Sequence, residues 1–268
     1  MLKDITLGQY YPGDSVIHRM DPRFKIIATL LYIVALFIMV NFTSYIFTVT
    51  FLVIVVALSK VPLKFILRGM KPIFIILILT FLLNLFLTRG GDNIFSIGFL
   101  SITTQGLRSA VFLASRLILL ITSSSILTYT TKPIMLTDGI ESLLKPFKVI
   151  GVPAHELAMM MSIALRFIPT LMEETDRIMK AQMARGADFE TGNLITRAKG
   201  LVPILIPLFI GSLRRADELA MAMEARCYQG GEGRTRLHSL KYSYLDLIGA
   251  IAIAALLAIL IIQRIWFA

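Results

Sequence analysis

The stretch YLDLIGAIAIAALLAILIIQRIWF, Tyr244–Phe267, is apolar except for a few polar and charged positions near its two ends. A helix needs about 20 apolar residues to cross the hydrocarbon core of a bilayer. Arg264, next to Trp266, can extend its guanidinium to the membrane interface while its stem stays in the apolar layer. This segment therefore predicts a transmembrane helix.

Four further stretches of the same character precede it, and with it they predict an all-α polytopic membrane protein with about five transmembrane helices. The first two are short for a full crossing and are separated only by NFTS, residues 41–44. One long helix through both is an alternative, but the polar break favours a hairpin. The four predicted spans are Lys25–Val40, Ser44–Leu58, Pro72–Thr88 and Gly106–Thr128.

Composition supports a membrane location. Of the 268 residues 56% are hydrophobic, and the mean hydropathy is +0.77, whereas average usage in soluble domains is about 45–50% apolar. The net charge of +10 is compatible with nucleic acid, anionic lipid or acidic protein partners. In a multi-span protein the positive-inside rule is the favoured explanation, so we expect no nucleic-acid partner. The single Cys227 excludes an internal disulfide and a cysteine-based metal site.

The connections between spans alternate in basic content. Lysine and arginine precede the first span, are absent between the first and second, recur between the second and third, and are sparse between the third and fourth. This alternation predicts a cytoplasmic N-terminus and a cytoplasmic segment before the last span, with the C-terminus outside. The predicted domains are a membrane domain over 1–130, a cytoplasmic helical domain over 131–243, and a last transmembrane helix over 244–268. The expected location is a cell membrane.

Helical periodicity continues in the segment 131–243, but with amphipathic stripes. We expect a short helix over 136–144 and a long helix from Ala154 to Ala184, which Pro169 should kink or break. A second long helix should be entered between Pro203 and Pro207 and run to Ala225. The apolar stripes predict that the two helices pack on each other and lie along the membrane.

Near-copies of one pattern close both long helices. EETDRIMKAQMARG, residues 173–186, recurs 41 residues later as RRADELAMAMEARC, residues 214–227. In this register Arg185 aligns with Arg226, and each arginine is flanked by small residues. Such an arginine can enter a groove on another protein, and the duplication suggests a partner with two grooves. The candidate docking residues are Ala184, Arg185, Gly186, Ala225, Arg226 and Cys227.

Two other features allow a functional and a structural interpretation. The glycine-rich stretch YQGGEGRTR, residues 228–236, lacks the spacing of a phosphate-binding loop, which favours a flexible helix exit. Arg108 and Arg116 lie in the fourth predicted span, eight residues apart and hence on roughly one face of the helix. They indicate either a polar path through the membrane or, as we prefer, burial against neighbouring helices or a helix that lies partly in the cytoplasm.

Four blocks, in order, resemble the T components of energy-coupling factor (ECF) transporters, which are related to the cobalt and nickel permease subunits. They are HRMDPRFK (18–25), TTKPIMLTDGIESLLKPFKVIGVP (130–153), ALRFIPTLMEETDRIMKAQMARGAD (164–188) and EARCYQGGEGRT (224–235). The resemblance covers nearly the whole chain. One departure is Cys227, where the family usually has glycine or another small residue.

The resemblance implies a non-catalytic scaffold subunit of an ATP-driven importer of vitamins or metal ions, located in the prokaryotic inner or plasma membrane. It implies that residues 131–243 are the coupling domain of this subunit. It implies two cytoplasmic ABC-type ATPases and a small substrate-binding membrane protein as partners. ATP would be bound by the partners, so no cofactor or metal is expected on this chain. The two arginine motifs would dock on the two ATPases.

Two other classes of function remain as alternatives. A membrane-embedded enzyme would need clustered catalytic groups, but His18, His155 and His238 are far apart in the sequence. A self-contained secondary carrier would be expected to have ionisable groups in several spans, or inverted repeats.

Overall fold

The computed structural model describes residues 10–39, 42–88, 90, 92–97, 100–187, 189, 193–231 and 240–267. These residues form two compact units, one comprising 10–139 with 240–267 and the other 140–231. The described helices are α1 (Val16–Arg19), α2 (Pro22–Ile38), α3 (Phe42–Ser59), α4 (Leu63–Met70), α5 (Phe74–Leu87), α6 (Thr104–Thr130), α7 (Pro133–Leu144), α8 (Ala154–Ala184), α9 (Leu194–Glu224) and α10 (Tyr244–Phe267).

Four helical segments of the described residues are long and apolar enough to cross a membrane: Phe42–Ser59, Leu63–Leu87, Thr104–Thr130 and Tyr244–Trp266. The predicted all-α polytopic class is confirmed by them. The second of the four runs through α4, a 3₁₀ turn at Lys71–Ile73 and α5. Helix α2 has 17 residues and is not among the four, so the first crossing remains a prediction.

The predicted break between the first two apolar stretches is present, because α2 ends at Ile38 and α3 begins at Phe42. The two helices are joined through side chains. The Tyr32 hydroxyl donates to the Thr48 carbonyl at 3.0 Å, and the Tyr32 ring stacks on Phe51. Leu36 of α2 and Leu260 of α10 lie in the same buried cluster. A buried tyrosine must satisfy its hydroxyl, so this bond also specifies how the helices pair.

The start of α2 is held by polar contacts. Asp21 caps the helix by accepting from the Arg23 amide at 2.8 Å, and Pro22 follows at the first helical position, where a proline loses no helical hydrogen bond. The backbone amide of Asp21 donates to Asp246 of α10 at 2.9 Å. The Lys25 ammonium donates to the Thr130 carbonyl at the end of α6 at 3.0 Å. The block HRMDPRFK therefore ties together the ends of three helices.

A short antiparallel pair of strands was not predicted. Strand β1 (Asn93–Ile97) pairs with β2 (Leu100–Thr103) between α5 and α6. Thr103 then caps α6 by accepting from the Gly106 amide at 3.0 Å. Strands of four or five residues carry too few alternations to stand out beside long apolar helices.

In the second unit, α8 and α9 each have 31 residues. The predicted bounds of α8 are confirmed, but Pro169 lies inside the helix and does not break it. The predicted entry of α9 was wrong, because the helix begins at Leu194 and contains both Pro203 and Pro207. A proline removes one backbone hydrogen bond at a cost of about 3 kcal/mol. A helix of this length keeps its other backbone bonds on both sides of the proline.

Candidate functional site

The first arginine motif closes α8 with a left-handed turn. Arg185 is the C-cap residue, and Gly186 has a φ of 87°. The Gly186 amide donates to the Met183 carbonyl at 3.0 Å, and the Ala187 amide donates to the Gln182 carbonyl at 3.0 Å. This bond pair is a Schellman motif, which satisfies the last carbonyls of a helix and requires one residue in the left-handed conformation.

The second arginine motif closes α9 with the same bond pattern. Cys227 has a φ of 55°. Its amide donates to the Glu224 carbonyl at 2.8 Å, and the Tyr228 amide donates to the Met223 carbonyl at 3.0 Å. Arg226 therefore stands immediately before the left-handed residue, as Arg185 does in the first motif.

The shared turn explains, through the backbone conformation, which residue suits the third position of each motif. In the predicted docking role, Gly186 and Cys227 are small residues beside the arginine, so that another chain can approach. Both residues also adopt the left-handed conformation, which glycine takes at no cost and other residues take at roughly 1–2 kcal/mol. A glycine after the last residue of a predicted helix is a sequence signal for this turn, and a cysteine there is not.

All six predicted docking residues are exposed. A Cβ atom built on Gly186 meets no heavy atom within 4 Å, so another chain has room to approach the backbone there. Within the described part of the chain, neither Arg185 nor Arg226 has an ion-pair partner. The negative end of each helix dipole favours a cation at these positions. Both guanidinium groups are thus exposed, and no ion pair of the described residues uses them.

Helices α8 and α9 contact each other through an ion pair between Glu174 and Arg215. The side chains of both residues are 28% exposed. A Cβ atom at Gly211 would lie 3.1 Å from the Glu174 carboxylate, so the glycine leaves room for this carboxylate against α9.

The two residues of this ion pair occupy equivalent positions of the repeat, 41 residues apart. Arg185 lies eleven residues after Glu174, and Arg226 lies eleven residues after Arg215. At 1.5 Å per residue each distance is about 16 Å along the helix. The two arginines therefore lie at the ends of arms of equal length, measured from one contact.

Beside the ion pair, α8 and α9 line an open cleft of about 290 Å³. Its walls are mainly apolar and come from both helices: Ile163, Phe167, Leu171, Ser212, Arg215, Ala216, Leu219, Ala220 and Met223. The helices are therefore joined by a specific polar contact next to an open, mainly apolar cleft.

The segment after the second motif returns to the start of α8. A Cβ atom at Gly231 would lie 2.4 Å from the His155 ring, so only glycine fits without a shift. The Nδ1 atom of His155 lies 3.2 Å from the Glu141 carboxylate of α7. Gly231 is therefore packed against the start of α8. Residues 232–236 of the glycine-rich stretch lie outside the described residues.

Arg116 packs against a neighbouring helix, with its guanidinium carbon 5.6 Å from the centre of the Phe37 ring. Arg116 is half-buried, whereas Arg108 is exposed. Sequence analysis missed Asp246, a buried carboxylate in the last span that accepts from the amides of Asp21 and Ser243. In the described residues no group of three or more metal-binding side chains lies together.

The fold and the two helix ends define a polytopic helical membrane protein that presents a pair of arginines on two long, amphipathic helices. Residues 13–237 match the family described as cobalt transport protein, CbiQ. The chain belongs to this family and is the transmembrane component of an energy-coupling factor transporter.

Relatives that carry the name "Energy-coupling factor transporter transmembrane protein EcfT" match over nearly their full length. The protein from Clostridium kluyveri is 60% identical, over 100% of this chain and 99% of its own. That from Thermosediminibacter oceani is 58% identical, over 99% and 100%, and that from Bacillus subtilis is 48% identical, over 96% and 98%.

Proposed function

We propose that this chain is the membrane scaffold that couples two cytoplasmic ABC-type ATPases to a small substrate-binding membrane subunit. The observation that carries the proposal is the pair of exposed arginines, Arg185 and Arg226, on two helix ends of the same backbone geometry. Small residues flank the arginine at both ends, and both side chains are exposed.

In the proposal, each helix end enters a groove on one ATPase. Arginine presents five donors in a planar fork that matches a carboxylate. The small neighbours Ala184 and Gly186, like Ala225 and Cys227, let the two backbones approach closely. Truncation of a buried, paired interface arginine typically costs about 2–5 kcal/mol. Loss of one motif should therefore weaken the complex, and loss of both should release the ATPases.

The proposed coupling is mechanical. ATP binding draws the two ATPases together, and because each ATPase holds one arginine motif, the two helix ends move relative to each other. Helices α8 and α9 pass this movement to the substrate-binding subunit, which carries a vitamin or a metal ion. The chain itself binds no ATP, has no catalytic residue and needs no cofactor or metal of its own.

The proposed topology has the N-terminus and residues 131–243 in the cytoplasm and the C-terminus outside. The support is the alternation of lysine and arginine between the apolar segments. Both arginine motifs then lie on the side of the membrane where ATP is available. The domain boundaries 1–130, 131–243 and 244–268 form part of this proposal.

The experiment is affinity purification of the chain from its native host, with identification of every co-eluting protein and an uptake assay on the reconstituted complex. The proposal predicts two ATPase chains, a small membrane protein and uptake that requires ATP. Uptake by the isolated chain without ATPases would contradict it and would support a secondary carrier.

A further inference from the structure

A surface turn between α7 and α8 carries large apolar side chains that contact little of the chain. It is the 3₁₀ turn Lys145–Ile150. Val149 is 93% exposed, Ile150 is 79% exposed and Phe147 is 50% exposed. Three such side chains in four consecutive positions form a patch of the kind that marks an interaction site.

The turn is held in shape by its backbone. Pro146 fixes one φ angle near its start. Gly151 closes it in the left-handed conformation, with a φ of 89°, and donates to the Lys148 carbonyl at 3.0 Å. No heavy atom lies within 4 Å of a Cβ built on Gly151. The apolar side chains are therefore presented on a preformed, open turn.

The basic side chains of the turn indicate that its partner is anionic. Lys145 and Lys148 alternate with the apolar side chains and are exposed, and the block KPFKVIGVP, residues 145–153, has no acidic residue. Apolar side chains interleaved with lysine fit the boundary between acyl chains and anionic headgroups. A cytoplasmic leaflet supplies this negative surface, and each basic residue near it contributes about 1 kcal/mol of attraction.

Along the chain, the turn begins six residues after Gly139, the residue at which the first segment of the unit with the apolar spans ends. A Cβ atom at Gly139 of α7 would lie 3.2 Å from Ile26 near the polar start of α2. From Gly139 to Lys145 the helix advances six residues, or about 9 Å. This distance is short compared with the roughly 30 Å hydrocarbon thickness of a bilayer.

We propose that Phe147, Val149 and Ile150 insert into the headgroup boundary of an anionic membrane, with Lys145 and Lys148 at the phosphate level. The turn then acts as a lipid contact at the base of α8. This inference rests on the membrane location of the chain and on the proposed cytoplasmic placement of residues 131–243, and not on the docking role of the arginine motifs.

The test uses the single tryptophan of the chain, Trp266. In a Trp266→Phe background, Ile150→Trp places the only indole on the turn. The full chain is reconstituted without partners in nanodiscs of phosphatidylcholine and phosphatidylglycerol in equal parts, with plain or brominated acyl chains. We expect brominated chains to reduce the emission of this indole about two-fold, because the side chain lies at the acyl boundary.

A matched control places the indole at another exposed position of the same unit, through Glu173→Trp on α8, where brominated chains should leave the emission unchanged. Adding Lys145→Glu to the Ile150→Trp variant should reduce the quenching, and so should nanodiscs of phosphatidylcholine alone. Equal emission in plain and brominated nanodiscs would overturn the proposal. A change that appears only when ATPases or a substrate-binding subunit are added would also overturn it, because the turn would then contact protein.

Discussion

Glu174 and Arg215 align with each other in the 41-residue repeat and form the ion pair between α8 and α9. Eleven residues separate each of them from the arginine of its own helix end. A contact at this position gives the two arms equal length. The contact lies beside the open cleft between the two helices. We expect the pair to position the two arginine motifs relative to each other.

A charge swap tests this positioning role. Glu174→Arg or Arg215→Glu alone places like charges at the contact, so each should lower the thermal stability of the chain and ATP-driven uptake by the complex. The double variant restores an opposite pair and should recover both. We expect an interaction energy of about 0.5–3 kcal/mol from the double-mutant cycle.

The control for this cycle uses the neighbouring exposed residues Glu173 and Arg214, which also align in the repeat. Glu173→Arg and Arg214→Glu should show a coupling energy near zero. An absence of coupling between Glu174 and Arg215, or the same coupling for the neighbouring pair, would refute the positioning role.

The left-handed turn at each helix end predicts opposite effects for two substitutions. Cys227→Gly removes a side chain from a residue with a φ of 55° and should stabilise the chain by roughly 1 kcal/mol. Gly186→Ala introduces a Cβ at a φ of 87° and should destabilise it by a similar amount. Because no atom lies within 4 Å of that Cβ, the loss would come from the backbone alone. Thermal unfolding in detergent, followed by helical circular dichroism, measures both, and equal signs would contradict the turn.

Gly231 and His155 provide a size test of the segment after the second motif. Gly231→Ala places a Cβ 2.4 Å from the imidazole and should detach residues 228–231 from the start of α8. Faster amide hydrogen exchange and faster proteolysis at this segment are the expected results. His155→Ala removes the obstructing ring, so the double variant should regain protection relative to Gly231→Ala. A double variant as labile as Gly231→Ala would rule out this packing contact.

The helical membrane class and the bounds of α8 could be predicted from the sequence, because the length of an apolar stretch and its helical period are local signals. The predicted start of α9 was wrong because it relied on another local signal, the two prolines. Proline usually marks a helix boundary, whereas Pro203 and Pro207 lie inside α9. The surrounding backbone bonds of a long helix outweigh the local loss at each proline.

The pairing of Glu174 with Arg215 depends on which faces of two distant helices meet, and periodicity within one helix does not determine this. A sequence signal did exist, since the repeat aligns opposite charges at this position. Asp246 was missed for a similar reason. Its partners, the backbone amides of Asp21 and Ser243, come from the packing of α2 against α10 and from the turn before α10.

Co-purification of ATPases with charge-reversed arginines tests the central claim most directly. Arg185→Glu combined with Arg226→Glu should insert normally in the membrane and lose both ATPases. The matched control, Arg177→Glu combined with Arg214→Glu, makes the same change in net charge at exposed positions of α8 and α9 and should retain them. Full retention of both ATPases by the Arg185→Glu, Arg226→Glu variant would contradict the docking role of the two helix ends.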